Sequence, residues 1–202
     1  MAFIGMRHVV AAPVSAHTPG AEPTYGTGFD VGMAITGNLT INRNNNPLYA
    51  DDVIAEDDNG ITGMELELGV DDLTDEVEAD MGIAEKVTTG TGTAQVTTYY
   101  DSDKPSKDLG IGYLRVRRKN GVISYQGIWI YKSKFSKNAE NAQTKGESIE
   151  WQTPTVNGRC SGLSVDSSGT LKFRKRRTFE TEADCNTWLD GLAGITRNSN
   201  GG

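Results

Sequence analysis

The sequence predicts a mainly β fold of the α+β kind: an antiparallel β-sandwich or barrel with one short flanking helix and a second helix near the C-terminus. Three observations carry that expectation. The 202 residues include 24 Gly and 7 Tyr against 6 Pro, and Thr is abundant, a composition that suits strands joined by tight turns better than a helical bundle. From Met64 to Leu68 the apolar residues alternate strictly with Glu65 and Glu67, the period of a strand covered on one face. Asn120-Gly121 separates two long extended stretches, and this dipeptide tolerates the positive φ that a type I′ hairpin turn demands at both central positions.

Each element follows in chain order. Met6 to Ala12 reads as the first strand, and residues 13–32, with Thr18-Pro19-Gly20 and Tyr25-Gly26-Thr27-Gly28, as a flexible N-terminal loop or interaction arm. Ala34 to Ile41 is a second strand that stops at Asn42-Arg43-Asn44-Asn45-Asn46-Pro47. Residues 42–60 form an extended acidic loop closing on the turn signal Asp57-Asp58-Asn59-Gly60. After the Met64 strand, Asp71-Asp72 precede Leu73, Val77 and Met81. That i, i+4, i+8 spacing predicts a short helix with carboxylates in its first turn and Gly82 as its stop. Ala94 to Tyr100 is a Thr/Tyr-rich strand. The hairpin joins Ile111 to Lys119 with Val122 to Phe135, whose two faces are both partly apolar and therefore both covered. Ser148 to Thr153, Val156 to Leu163 and Thr170 to Arg177 are further strands. Thr181 caps the closing helix, with Asp184 near the reciprocal capping position and Cys185, Trp188, Leu189 and Leu192 on one face. The tail, residues 196–202, is expected to be disordered. No repeat or composition break divides the chain, so residues 1–202 read as a single domain.

The formal net charge of -7 averages two opposite segments. Between Asn44 and Glu85 there are 14 carboxylates and no Lys or Arg, whereas Lys104 to Arg177 holds 16 basic residues against five acidic ones. Such asymmetry points to steering or self-complementarity rather than plain solubility.

Catalytic constellations are scarce. His8 and His17 stand alone, without the His or Cys spacing of a zinc site, and read as ordinary strand and loop histidines. Asp51-Asp52, Asp57-Asp58 and Asp71-Asp72 are pairs that glycosidases and cation clamps use. In so acidic a segment pairs arise freely, and Ala55 breaks the calcium-loop pattern, so a solvated or interface-facing surface is favoured. Gly26-Thr27-Gly28 and Gly90-Thr91-Gly92 lack the remaining residues of a phosphate loop, and Ser161 lacks the first Gly of a nucleophile elbow. Cys160 and Cys185 have no His partner nearby and too few companions for a disulfide framework, which suits reduced thiols in a cytosol. No apolar run approaches the roughly 18–20 residues of a membrane span. No cofactor, no metal and no enzymatic activity are expected. The basic run Lys172-Phe173-Arg174-Lys175-Arg176-Arg177 divides between two strand faces, Lys172, Arg174 and Arg176 on one. That division suits an acidic protein partner better than a phosphate stripe.

Several segments together resemble the major tail tube proteins of long, noncontractile-tailed bacteriophages and prophages. They are Leu48-Tyr49-Ala50-Asp51-Asp52, Leu68-Gly69-Val70-Asp71-Asp72-Leu73, Gly112-Tyr113-Leu114-Arg115-Val116-Arg117, Trp129-Ile130-Tyr131-Lys132-Ser133-Lys134-Phe135, Thr144 to Pro154, and the closing helix with Ala183, Trp188 and Leu189. The resemblance implies a β-sandwich with a flanking helix, assembled in the bacterial cytoplasm as hexameric rings that stack into the tail tube of a virion. Its partners would be other copies of itself and the tape measure, tail terminator and distal tail proteins, with DNA passing through unbound and no membrane involved. On that basis Tyr49, Asp51, Asp52, Arg174 and Arg176 are candidate subunit-interface residues, and Glu65 and Glu67 candidate lumen residues on a wall that is acidic or neutral. The alternative is a monomeric β-sandwich binding module or carboxylate-using hydrolase acting on carbohydrate.

Overall fold

The computed structural model describes residues 2–50, 53–137, 139 and 153–197. In chain order it contains β1 (Ala2–Ala16), β2 (Thr24–Tyr25), β3 (Phe29–Gly32), β4 (Ala34–Arg43), β5 (Asn46–Ala50), β6 (Val53–Asp58), β7 (Ile61–Val70), α1 (Asp75–Met81) and β8 (Ala84–Thr89). A 3-10 turn at Gly92–Ala94 leads to β9 (Val96–Asp101), β10 (Leu109–Lys119), β11 (Val122–Ser136), β12 (Thr155–Cys160), β13 (Leu163–Ser164), β14 (Leu171–Lys172), β15 (Arg174–Phe179) and α2 (Glu182–Ala193). The molecule is mainly β, with a large antiparallel sheet and short helices, as expected.

The sheet is organised around the β10–β11 hairpin. Asn120 and Gly121 turn it with φ of 51° and 82°, the conformation their side chains permit. One edge of β11 pairs with β10 throughout; the other pairs first with β15, over Tyr125–Ile130, and then with β12, over Ser133–Ser136. β12 continues to β7 and β4, while β10 continues to β1, which also holds β2 and β3. The sheet curls until Met6 of β1 and Leu39 and Ile41 of β4 pack on one shared core. That core fills the inside of the curl with Leu66, Leu68 and Val70 of β7, Ile111 and Tyr113 of β10, Ile128 and Ile130 of β11, and Val156 of β12. Alternation in β7 is as read from sequence: Met64, Leu66 and Leu68 are buried and Glu65 and Glu67 exposed.

A second core lies outside the curl, where α2 covers β1, β10 and β11 with Cys185, Leu189 and Ala193 against Val10, Leu114 and Trp129. Gly127 makes the approach possible, because a Cβ there would stand 2.7 Å from the Trp188 ring. Thr181 is the N-cap, accepting from the Asp184 amide, and its hydroxyl donates to the Asp184 carboxylate at 2.7 Å.

Four expectations need correction. Residues 13–32 are not one loop: β1 runs to Ala16, and β2 and β3 fold back onto it. Tyr25 ties the segment down, its hydroxyl donating to the Tyr131 carbonyl at 2.9 Å and accepting from Trp129 Nε1 at 3.0 Å. Within 42–60, residues 46–50 and 53–58 form a ribbon rather than a loop, since β5 pairs with β6 from Asn46–Asp58 to Ala50–Val53. The flanking helix begins three residues later than the Asp71-Asp72 pair suggested. Thr74 caps it by accepting from the Val77 amide, and Asp71 is held elsewhere by the Met33 amide at 2.7 Å, so Asp75, Glu76 and Glu78 form the acidic first turn. The tail is anchored at its start: Arg197 pairs with Asp30 at 2.6 Å and with Asp190 at 2.7 Å. Residues 198–202, and 148–152 of the strand expected over Ser148 to Thr153, lie outside the described residues. The strand expected from Ala94 is β9, and its partner β8 had no sequence signal.

Candidate functional site

The basic run is interrupted at Phe173, which is buried in the main core and accepts from the Tyr131 amide through its carbonyl at 3.1 Å. Lys172 therefore belongs to β14, where it pairs with Asp166, and shares no stripe with Arg174 and Arg176. In β15, Arg174 lies opposite Ile130 and Arg176 opposite Ile128, so both stand on the inner face of the sheet. Lys175 and Arg177 face the α2 side, Lys175 bonded to Glu22 at 2.7 Å and Arg177 5.1 Å from the centre of the Phe179 ring.

The inner face does not stay half-charged. Across β11 the register places Tyr113 opposite Ile128, Arg115 opposite Gln126 and Arg117 opposite Ser124. The inner face thus presents Arg115 and Arg117 beside Gln126 and Ser124 where the sheet runs past its core, and Arg176 and Arg174 on β15 at the core's edge, level with Tyr113 and Ile111, with β10 and β15 about 10 Å apart across β11. Arg115 Nη2 donates to Gln126 Oε1 at 2.9 Å, and Arg117 Nη1 spans the gap to Thr178 Oγ1 at 3.3 Å. From β1 the half-exposed Phe3 ring stacks on the Arg115 guanidinium, 3.9 Å from its centre.

Arg115, Arg174 and Arg176 are poorly compensated. Burial, with the charges of Arg176 and Arg117 added, holds Arg115 below the ordinary arginine value. Burial and then Arg176 do the same to Arg174. Arg115, Arg174 and Arg176 make no ion pair among the described residues, and Nε of Arg115 is buried without a hydrogen-bond partner. A guanidinium cluster of this kind can hold carboxylates or phosphates by paired N–H donors. The sequence pointed to Arg174 and Arg176; it showed Arg115 and Arg117 alternating with Leu114 and Val116 but not the register that joins the two pairs.

The other candidate residues lie apart. Glu65 and Glu67 face outward from β7, beside Arg159 and Asn157 of β12 and Thr40 and Asn38 of β4, with Lys134 of β11 next in the row. Their surface is mixed in charge and on the opposite side of the sheet from the arginines. Tyr49 lies in β5, and Asp51 and Asp52 lie outside the described residues.

Acidic charge gathers around α1. Glu76 pairs with Lys86 at 2.9 Å and the buried Glu78 with Lys137 at 2.5 Å, while Asp72, Asp75 and Asp80 are exposed and make no ion pair among the described residues. Leu73 and Met81 close the main core beside Leu109, the first residue of β10, and Lys107 just before it donates to the Ala79 carbonyl at 2.9 Å. Arg115 and Arg117 stand toward the far end of the same strand, about 20 and 27 Å away at the rise of an extended chain. The charge asymmetry of the sequence is thereby a polarity in space.

His8 is held at φ 53°, where β1 shifts register, and its Nε2 bonds Asp190 Oδ1 at 2.9 Å. With Arg197 and Asp30 it knots the end of α2 to β1 and β3 beside a cavity of about 480 Å³. His17 bonds the Ser164 carbonyl at 3.1 Å. Burial pushes the thiols of Cys160 and Cys185 up to about 12, so both are protonated and unreactive at neutral pH. Among the described residues no group of three His, Cys, Asp or Glu is placed to hold a metal ion, and no helix is long and apolar enough to cross a membrane. No protein-family model matches the chain, and no curated protein matches it.

Proposed function

We propose that this chain is a structural subunit that assembles with copies of itself into a tube, as its resemblance to the major tail tube proteins of noncontractile-tailed phages implies. Six copies close a ring, rings stack, and DNA passes through the lumen of the virion tail without specific binding. The reading assigns the chain no catalysis. One observation carries it: β5–β6 and β8–β9 are two-stranded ribbons hydrogen-bonded to no other strand among the described residues. An isolated two-stranded ribbon is marginal in water, and β9 leaves Val96 58% and Tyr100 52% exposed. Neighbouring copies that cover the ribbons would supply the missing burial.

Within this assembly Arg174 and Arg176 are interface residues, as are Tyr49 of β5 and, by the resemblance, Asp51 and Asp52. Glu65 and Glu67 belong to a lumen wall made acidic to neutral by their mixture with Asn38, Thr40, Asn157 and Arg159. Such a wall avoids the salt-dependent grip that a basic wall would exert on DNA phosphates. Tape measure, terminator and distal tail proteins are the further partners of such a tube. Negative-stain electron microscopy of the purified protein, with light scattering across concentration, tests the proposal. Rings or tubes are expected. A monomer at every concentration, with saturable sugar binding, would establish the carbohydrate-binding alternative instead.

A further inference from the structure

We infer that the arginine face of one copy receives the acidic α1 end of a second copy, Asp72, Asp75 and Asp80 entering the cluster of Arg115, Arg117, Arg174 and Arg176. Two independent features of the chain meet in this contact. On one surface, guanidiniums from β10 and β15 crowd one sheet face, Arg115, Arg174 and Arg176 make no ion pair among the described residues, and a buried Nε of Arg115 lacks a partner. On the other, Glu76 and Glu78 have their own lysines, while Asp72, Asp75 and Asp80 are exposed and make no ion pair among the described residues.

The two surfaces make no ion pair with each other within one molecule among the described residues. Arg115 and Arg117 stand about 20 and 27 Å along β10 from Leu109, and Arg174 and Arg176 lie across β11 on β15, level with Ile111 and Tyr113. The contact is therefore heterologous, head to tail, and a heterologous contact either closes into a ring or runs on as a filament. A second copy is favoured over nucleic acid because every copy carries the complement in equal amount, and the net charge of -7 opposes the approach of a polyanion. Aspartate carboxylates also match the paired donors of a guanidinium. Resting on the assembly proposed above, the contact specifies which surfaces join and in what direction.

Charge reversal tests it, because the two halves of the contact can be inverted separately and then recombined. Arg174→Glu/Arg176→Glu in one protein and Asp72→Lys/Asp75→Lys in another should each raise the apparent dissociation constant for self-association by roughly tenfold or more. An equimolar mixture of the two should restore assembly, since each mutant then offers the other a matched face at both ends. Wild-type association should weaken as salt rises from about 0.05 M to about 0.5 M. Sedimentation velocity reads all four samples, and thermal unfolding confirms that each variant is folded. Arg176→Glu and Asp72→Lys singly, both at exposed positions, replace the doubles if those are unfolded. Assembly unchanged by either reversal, or a mixture that stays dissociated, would overturn this contact while leaving tube assembly intact. Wild-type protein that never associates would overturn both. Retention of duplex DNA by the wild type but not by Arg176→Glu would assign the face to nucleic acid instead.

Discussion

The two cores on either side of β10 and β11 differ in construction. Inside the curl, Val9, Leu66, Ile111, Ile130 and Val156 come from five strands spread along the chain, so exposing them means breaking the sheet. Under α2, a single 12-residue helix seals Trp129, Leu114 and Val10. Free energies of local opening follow such boundaries. The difference teaches that one sheet can carry two levels of stability, a wall that opens only on global unfolding and a lid that lifts on its own. Each core contains one cysteine, Cys160 inside the curl and Cys185 under the helix, which makes the comparison measurable.

The largest effect is expected from Trp129→Ala. Trp129 is fully buried, meets Tyr25 edge-on at 5.1 Å and donates to its hydroxyl, so truncation should cost about 3–5 kcal/mol in denaturant titration. A loss below about 1 kcal/mol would mean that the second core is an ornament on the fold rather than part of it. Gly127→Ala comes next. The new methyl would press on the Trp188 ring at 2.7 Å and the Cys185 sulfur at 3.1 Å, an overpacking worth about 1–3 kcal/mol. Thiol labelling should quicken at Cys185 and stay unchanged at Cys160; equal acceleration at both would erase the distinction between lid and wall.

Thr181→Ala removes the cap of α2 and should cost about 1 kcal/mol. Labelling of Cys185 should then rise about fivefold, the factor corresponding to that energy. The smallest effect concerns Asp166, beside Val165 at the rim of the second core. The Lys172 ammonium, then Ser168, holds its carboxyl at about 2, below the ordinary 3.8. A depressed folded value favours the native state above the unfolded value, and that contribution disappears as pH falls through about 2. The carboxylate is open to solvent, so the signal is a displaced NMR titration rather than a shift in melting. An ordinary titration midpoint would remove Asp166 from the rim.

Legibility in the sequence followed the range of the interaction. Glu65 and Glu67, Asn120-Gly121 and the Thr181 cap act over two to four residues, and each stood where its local pattern put it. Asp71 and Asp72 misled because a carboxylate pair before an apolar stripe looks the same whether it caps a helix or, like Asp71, bonds a distant amide at Met33. Residues 13–32 looked like a free loop because the bonds that order them, from Tyr25 to Trp129 and Tyr131, join positions more than 100 apart. The arginine face was half visible for the same reason. Alternation assigned Arg174 and Arg176 a common face, but only the pairing of β10 and β15 on either side of β11 adds Arg115 and Arg117.

The position of β1 has a consequence for the growing chain. β1 ends at Ala16, and its sheet partner β10 begins only at Leu109. At synthesis rates of about 5–20 residues per second, β1 is made roughly 5–20 seconds before β10, the longest of its pairing partners, exists. During that interval β3 can take one edge of Val9-Val10-Ala11, but the edge that β10 later covers stays open to other nascent chains. The β10–β11 hairpin, whose strands are neighbours in sequence, is expected to form ahead of the β1–β10 pairing and to offer β1 a finished edge, so a strand made early completes its pairing late.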